Sequence, residues 1–264
     1  MFLSRYTAAY IKTPRLWNET ILGIQQLPYH FVNSTLVKDP SKHDKFGYFI
    51  EKIVRNIILN DSNIELISNN LQINSTSRTL GEIDFLVKLN DHIFYIENAF
   101  KFYLYDPKIT GDLFSQWIGP NRSDSLQHKL NHITTHQFPL INTPEAIHEI
   151  EKLGVAKEDI EQYVLFKGLL FVPYGMDITV APLNKNAVVG SYFHFRDLGQ
   201  FTNNKFYILK DKIDWILPPV LSVNWITHDK FKNLVHSDIE NEKSVFAWRK
   251  DAKGNLFRHF ITWW

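Results

Sequence analysis

TLGEIDFLVK (residues 79–88) and IFYIENAFKFYLY (residues 93–105) are two apolar ribbons, the first interrupted by the acids Glu82 and Asp84 and the second by Glu97 and Lys101. Side chains alternate across a strand, so residues two and four apart share a face. In the first ribbon Glu82 and Asp84 share a face. In the second, Glu97, Ala99 and Lys101 do. Asn90-Asp91 between them is a hairpin signal. A hairpin of this kind gathers two or three carboxylates and an ammonium at one spot. Burying such a cluster is costly unless it holds a cation or does chemistry.

Upstream, Phe46, Phe49, Ile50, Ile53 and Ile57 form one stripe at helical spacing, which predicts a helix over residues 46–59. Glu51 lies at the side of that stripe, on the flank shared with Val54 and Ile58. Residues 64–73 read as a strand rich in Ile and Leu. The order from residue 46 is therefore helix, strand, strand, strand. Thr13-Pro14 reads as the start of a helix, with Thr13 as cap and Pro14 in the first turn. Asp124 with Gln127 resembles a capping box, opening a helix whose inward stripe is Leu126, Leu130, Ile133 and Gln137. Thr143-Pro144 starts another helix, and Gly154 ends it. YVLFKGLLFVPY (residues 163–174) is a further apolar strand. Beyond Pro182 the segments become short, aromatic and alternating, with residues 229–240 helical and KDAKGN (residues 250–255) a hairpin turn. The expected domains are residues 1–182, with an N-terminal helical extension over 1–44, and a smaller α+β region over 183–264.

Composition sets the outer bounds. The 29 basic and 28 acidic side chains nearly cancel, so net charge names no partner. With no cysteine, disulfides, zinc–thiolate sites and thiol nucleophiles are excluded. No apolar run reaches the length of a membrane span, and the first fifteen residues lack the core of a secretion signal. The expectation is a cytoplasmic protein without membrane association.

Two or three carboxylates, with water completing the shell, suit Mg²⁺ or Mn²⁺. An ion so held polarises a phosphoryl oxygen and acidifies a bound water, and a nearby lysine stabilises charge building on phosphorus. A helix acid, a strand Asp, then a Glu and a Lys on the next strand resembles the PD-(D/E)XK nuclease superfamily, whose core runs αβββαβ. The chain is also similar over nearly its full length to a bacterial family, domain of unknown function 1853, placed in that superfamily. The matching stretches are FGYFIEKI, RTLGEIDFL, IENAFKFYL, WIGPNRSDSLQHKL…HQF, FKGLLFVPYG, IDWILPP and FRHFITWW.

The resemblance implies a restriction-endonuclease-like αβββαβ core, a mixed sheet flanked by helices, and a smaller C-terminal appendage. It implies Asp84 and Glu97 as metal ligands, Glu51 as the acid that completes or orients the site, and Lys101 as the catalytic lysine. The sequence departs from the pattern at one place. The superfamily's lysine stands two residues after the acid, where this chain has Ala99; Lys101 is four residues on, roughly 13 Å along an extended strand. The implied function is metal-dependent hydrolysis of DNA phosphodiesters, with a homodimer as one possible assembly. The alternative is a non-catalytic nucleic-acid- or protein-binding module on the same fold.

Lys129, His136 and Gln137 stand at or beside the inward stripe of their helix, in place to reach a cleft or to pack its edge. Arg122, in the loop GPNR, contacts a backbone phosphate or pins its own loop. His128 and His132 face away from the stripe and make a poor metal site. The last residues set five basic side chains (Lys243, Arg249, Lys250, Lys253 and Arg258) among six rings. That pattern suits nucleic acid, but rings this dense more often pack into a core.

Overall fold

A computed structural model describes residues 4–31 and 44–264. The N-terminal extension expected over residues 1–44 thus lies partly outside the described residues. The chain is mixed α/β, with a large mixed sheet flanked by helices. It divides into two compact units that alternate along the sequence. One comprises Met1–Phe100 and Lys129–Lys167, the other Lys101–His128 and Gly168–Trp264.

The first unit opens with α1 (Arg5–Lys12), capped by Ser4, whose hydroxyl accepts from the Thr7 N–H. Thr13 closes this helix by donating its hydroxyl to Ala9 O at 2.9 Å. The Thr13-Pro14 signal thus marks a helix end, not the expected start. Proline directly after a helix stops it as well as proline at N1 begins one. α2 (Phe46–Leu59) follows and coincides with the expected span. Its buried side includes Val54 and Ile58 besides the stripe, which leaves Glu51 half-buried at the margin.

Three antiparallel strands come next: β1 (Ile64–Asn74), β2 (Thr79–Leu89) and β3 (His92–Tyr105). Leu89 pairs with His92 across a two-residue turn in which Asn90 takes a φ of 55°. Primed hairpin turns need positive φ, and Asn tolerates it. The helical segment that follows runs as α3 (Leu126–His132), a π-helical turn (Ile133–Gln137) and α4 (Phe138–Leu140). α5 (Pro144–Glu151) is capped by Thr143, with Gly154 at φ 75° beyond it, as expected. Leu140, Ile141, Ala146 and Ile150 pack on Ile73, Ile83, Leu86 and Tyr95 of the sheet, forming the unit's core. β5 (Ile160–Pro173) begins in this unit and ends in the second.

The second unit holds β4 (Trp117–Ile118), paired with the far end of β3, and then β6 (Val188–His194), β7 (Lys205–Ile208), β8 (Ile226–Thr227), α6 (His228–Glu240), β9 (Val245–Lys250) and β10 (Leu256–Thr262). The strand order there is β5-β6-β10-β9-β7-β8. β5, β6 and β10 are mutually parallel; the other pairs are antiparallel. α6 lays Phe231 and Val235 on Phe206, Ala247 and Ile261. Three of the six C-terminal rings pack into the core, while Phe257 is exposed. Phe246, Trp248 and Phe260 are buried, and Phe246 and Phe260 meet at 4.8 Å. Among the described residues no helix is long and apolar enough to cross a membrane.

Candidate functional site

The β2–β3 register pairs Phe85 with Ile96, so Asp84 and Glu97 stand at adjoining positions across the two strands. Asp84 Oδ2 accepts the Asn98 N–H at 2.8 Å. Its other oxygen has no hydrogen-bond partner among the described residues. Glu97 is only 1% exposed. Two donors hold it: the Tyr95 hydroxyl on Oε2 at 3.1 Å and the Lys129 ammonium on Oε1 at 3.0 Å. Lys129 also donates to Gln137 Oε1 at 2.9 Å.

Burial, and next the neighbouring Glu97 carboxylate, raise the Asp84 pKa well above the ordinary carboxylate range. The Asn98 N–H and the Lys129 charge oppose this, and Glu51 adds to it. Burial also raises Tyr95, with Glu97 and then Asp84 adding to it. The site therefore concentrates negative charge in a poorly hydrated place.

The π-helical turn explains why Lys129 and Gln137 meet. Eight residues along a regular helix advance by about 800°, which leaves the two side chains about 80° apart in azimuth. One extra residue in the turn takes back about 100°, so they stand almost in line. Pro139 accounts for the widening. It has no N–H for the Thr135 carbonyl, and its ring crowds that oxygen. Thr134 and Thr135 turn their hydroxyls back onto Asn131 O at 3.0 and 2.8 Å, which loosens the same turn.

Glu51 reaches the strands through an intermediary. Its Oε1 accepts Asn70 Nδ2–H at 2.7 Å. Asn70 falls between the pairs Asn69↔Phe85 and Leu71↔Ile83, which sets it across from Asp84. Its φ of 54° is left-handed, unusual in mid-strand for any residue but glycine, though asparagine bears it best. Asn69 and Arg55 continue the network, with Arg55 Nε donating to Asn69 Oδ1 at 3.1 Å. Burial raises the Glu51 pKa, the Asn70 hydrogen bond opposes this, and Glu82 adds to it. Glu82 itself accepts from Gln72 on the neighbouring strand.

The remaining expected site residues lie in the second unit. Lys101 donates to Asp124 Oδ2 at 2.5 Å. Asp124 also accepts the Ser125 N–H, so it does not cap α3; Ser125 does, accepting the His128 N–H at 3.1 Å. Arg122 pins its own loop. It donates to the buried Asp106 at 2.7 Å and lies 4.5 Å over the Trp264 ring. His132 and His136 stack at 5.0 Å on the exposed side of their helix. Thus Glu51, Asp84, Glu97, Lys129 and Gln137 share one unit: hydrogen bonds join Glu97, Lys129 and Gln137, Glu51 is bonded to Asn70, and Asp84 feels the charges of Glu97, Lys129 and Glu51. Asn70 and Tyr95 complete the site, and the sequence reading named neither. The signal for Asn70 was present: an Asn-Asn pair inside an Ile/Leu-rich strand, where asparagine is disfavoured.

Among the described residues no three acidic or histidine side chains converge tightly enough to grip an ion as they stand. The donor set nevertheless suits a hard cation. It is all oxygen, it carries excess negative charge, and Asp84 keeps one oxygen unengaged.

A family model for a domain of unknown function, DUF1853, matches residues 25–256. The chain belongs to the DUF1853 family. The match takes in every residue of the carboxylate network, so this chain carries the network inside the DUF1853 domain. No curated protein and no solved structure matches the chain.

Proposed function

We propose that the Asp84–Glu97 pair is the centre of a metal-dependent phosphodiesterase acting on DNA, built on a restriction-endonuclease-like core. The observation that carries this reading is the conjunction of two adjacent strand carboxylates with a lysine ammonium 3.0 Å from the more buried one. Asp84 and Glu97 would hold Mg²⁺ or Mn²⁺, with Glu51 alongside through Asn70. Such an ion, when bound, neutralises phosphoryl charge and supplies a water acidic enough to attack near neutral pH.

The chain's own groups have separable tasks. Tyr95 fixes the Glu97 carboxylate through its second oxygen. Gln137 accepts from the Lys129 ammonium and so holds it beside the carboxylates. From there Lys129 meets the negative charge that grows on the phosphate oxygens as water oxygen bonds to phosphorus and the ester P–O bond breaks. The attacking water gives up a proton to solvent, and the leaving oxygen departs with a proton taken from solvent. In this reading Lys129 takes the part that the family resemblance assigns to Lys101.

A binding module without catalysis is the second reading. The closed Lys129–Glu97 ion pair and the unconverged acids favour it, since a paired, buried carboxylate is partly neutralised already. Incubation of the full chain with DNA and millimolar Mg²⁺ or Mn²⁺, at or above the weak end of hard-cation affinities (about 10⁻³ M), separates the two. Cleavage that disappears in both Asp84→Asn and Glu97→Gln supports the enzyme. Cleavage that survives in both refutes the assignment to these carboxylates, and no cleavage of any substrate supports the module.

A further inference from the structure

A cleft of about 540 Å³ opens at the ends of β5 and β6, lined by Pro173, Tyr174, Tyr192, His194 and, after β10, Trp264. Those are the carboxyl ends of three parallel strands, β5 ending at Pro173, β6 at His194 and β10 at Thr262. In open sheets the crevice outside the carboxyl ends of parallel strands is where ligands gather, because the loops leaving those ends diverge. The volume lies within the range of small-molecule sites.

Its walls are of two kinds. Tyr174 is 45% exposed and Met176 43%, so the cleft presents apolar and π surface to water. Tyr192 and Trp264 sit with ring centroids 5.3 Å apart. Around these rings stand the charges. Arg122 is held by Asp106 and lies over Trp264; Arg196 is 3.9 Å from Asp197 and three-quarters exposed. Lys108 also lines the cleft, and its ammonium has no acid partner among the described residues. The cations therefore outnumber the acids.

One further donor is forced by geometry. His194 Nδ1 accepts the Arg196 N–H at 2.9 Å, so this ring nitrogen carries no proton. The proton is then on Nε2, which is left as a donor. A cleft that offers rings, surplus cations and an N–H donor, beside the side-chain acceptors Asp106, Asp197 and Gln200, fits a planar base joined to a phosphate.

We infer that this cleft is a nucleotide site, taking a free nucleoside monophosphate or the terminal nucleotide of a single strand. The assignment is independent of the carboxylate centre. Calorimetric titration of the full chain with AMP tests it, beside adenosine, inorganic phosphate and a 5′-phosphorylated ten-nucleotide single strand. AMP or the strand is expected to bind, with adenosine and phosphate each weaker. Tyr174→Ala and Arg196→Ala, both at exposed positions, are each expected to weaken binding about tenfold, as loss of a stacking or charge contact does. Asp84→Asn is expected to leave it unchanged. AMP without the strand identifies a free nucleotide as ligand, and the strand bound at least as tightly as AMP identifies a chain end. No binding of either at millimolar concentration, or binding indifferent to both substitutions, overturns the proposal.

Discussion

The Lys129 ammonium rests 3.0 Å from Glu97 Oε1, across 32 positions of sequence, and its other acceptor is the side chain of Gln137. Glu97 is almost fully buried and Lys129 nearly so, with side-chain exposures of 2% and 15%. Removing one member of such a pair strands the other. Lys129→Met is expected to lower stability by about 3–5 kcal/mol, and Lys129→Met with Glu97→Leu to recover much of it. Urea unfolding of both variants checks this; equal losses in the single and double variants would mean that the stranded Glu97 carboxylate is not the source of the loss.

The same pair separates the two lysines as catalysts. If DNA is cleaved, Lys129→Gln is expected to slow cleavage by about 100-fold or more, on the scale of losing one charge-stabilising donor. Lys101→Gln, whose partner is Asp124, is expected to change it by no more than a few-fold. Single-turnover rates on one DNA substrate make the comparison. A large loss at Lys101 with none at Lys129 would restore the lysine that the family resemblance implies.

Asp84 gives a pH dependence of defined sign. Burial and Glu97 raise its pKa in the folded chain above the unfolded value near 3.8. Ionised Asp84 therefore costs stability, and the cost is present above its folded pKa and vanishes as the carboxyl protonates on acidification. Asp84→Asn is expected to raise the melting temperature at neutral pH by about 2–4 °C for each kcal/mol relieved. The advantage should shrink as pH falls toward 4. Melting curves of both proteins from pH 4 to 8 test it, and a variant less stable than wild type across that range would show that the carboxylate is well accommodated.

Asn70 and the glycines probe backbone against contact. Asn70→Gly relieves the left-handed backbone while deleting the hydrogen bond to Glu51, so stability is expected to change by less than about 1 kcal/mol, whereas Asn70→Ala loses about 1–2 kcal/mol. Gly190→Ala would set a methyl group 2.4 Å from the Arg258 carbonyl oxygen, a backbone atom that cannot step aside. Gly81→Ala meets only the tip of Leu140 at 2.8 Å. Gly190→Ala is expected to cost about 3 kcal/mol or more, and Gly81→Ala clearly less. Denaturant titrations rank them.

What the sequence discloses here is whatever depends on local periodicity. α2, the three following strands and the Asn90 turn are all readable because each declares its apolar face within a few residues. The acids on β2 and β3 are readable for the same reason, and their meeting follows from a two-residue hairpin. The lysine is another matter. Glu97 and Lys101 share a strand face, which makes them a natural pair in one dimension. The partner that reaches Glu97 comes from a helix 32 residues away, through a π turn whose cause, Pro139 after two threonines, lies beyond the contact itself. Thr13-Pro14 and Asp124 mislead because capping signals are symmetric in composition: Ser4 and Ser125, one helix length back and one residue on, hold the real caps.

The central claim is that Asp84 and Glu97 hold a divalent cation together. Calorimetric titration of the full chain with Mn²⁺ tests it most directly, against Asp84→Asn, Glu97→Gln and Lys101→Gln. Binding in wild type and Lys101→Gln, lost in the two carboxylate variants, is the expected result. Absence of binding at millimolar Mn²⁺, or binding that persists in both carboxylate variants, would contradict it.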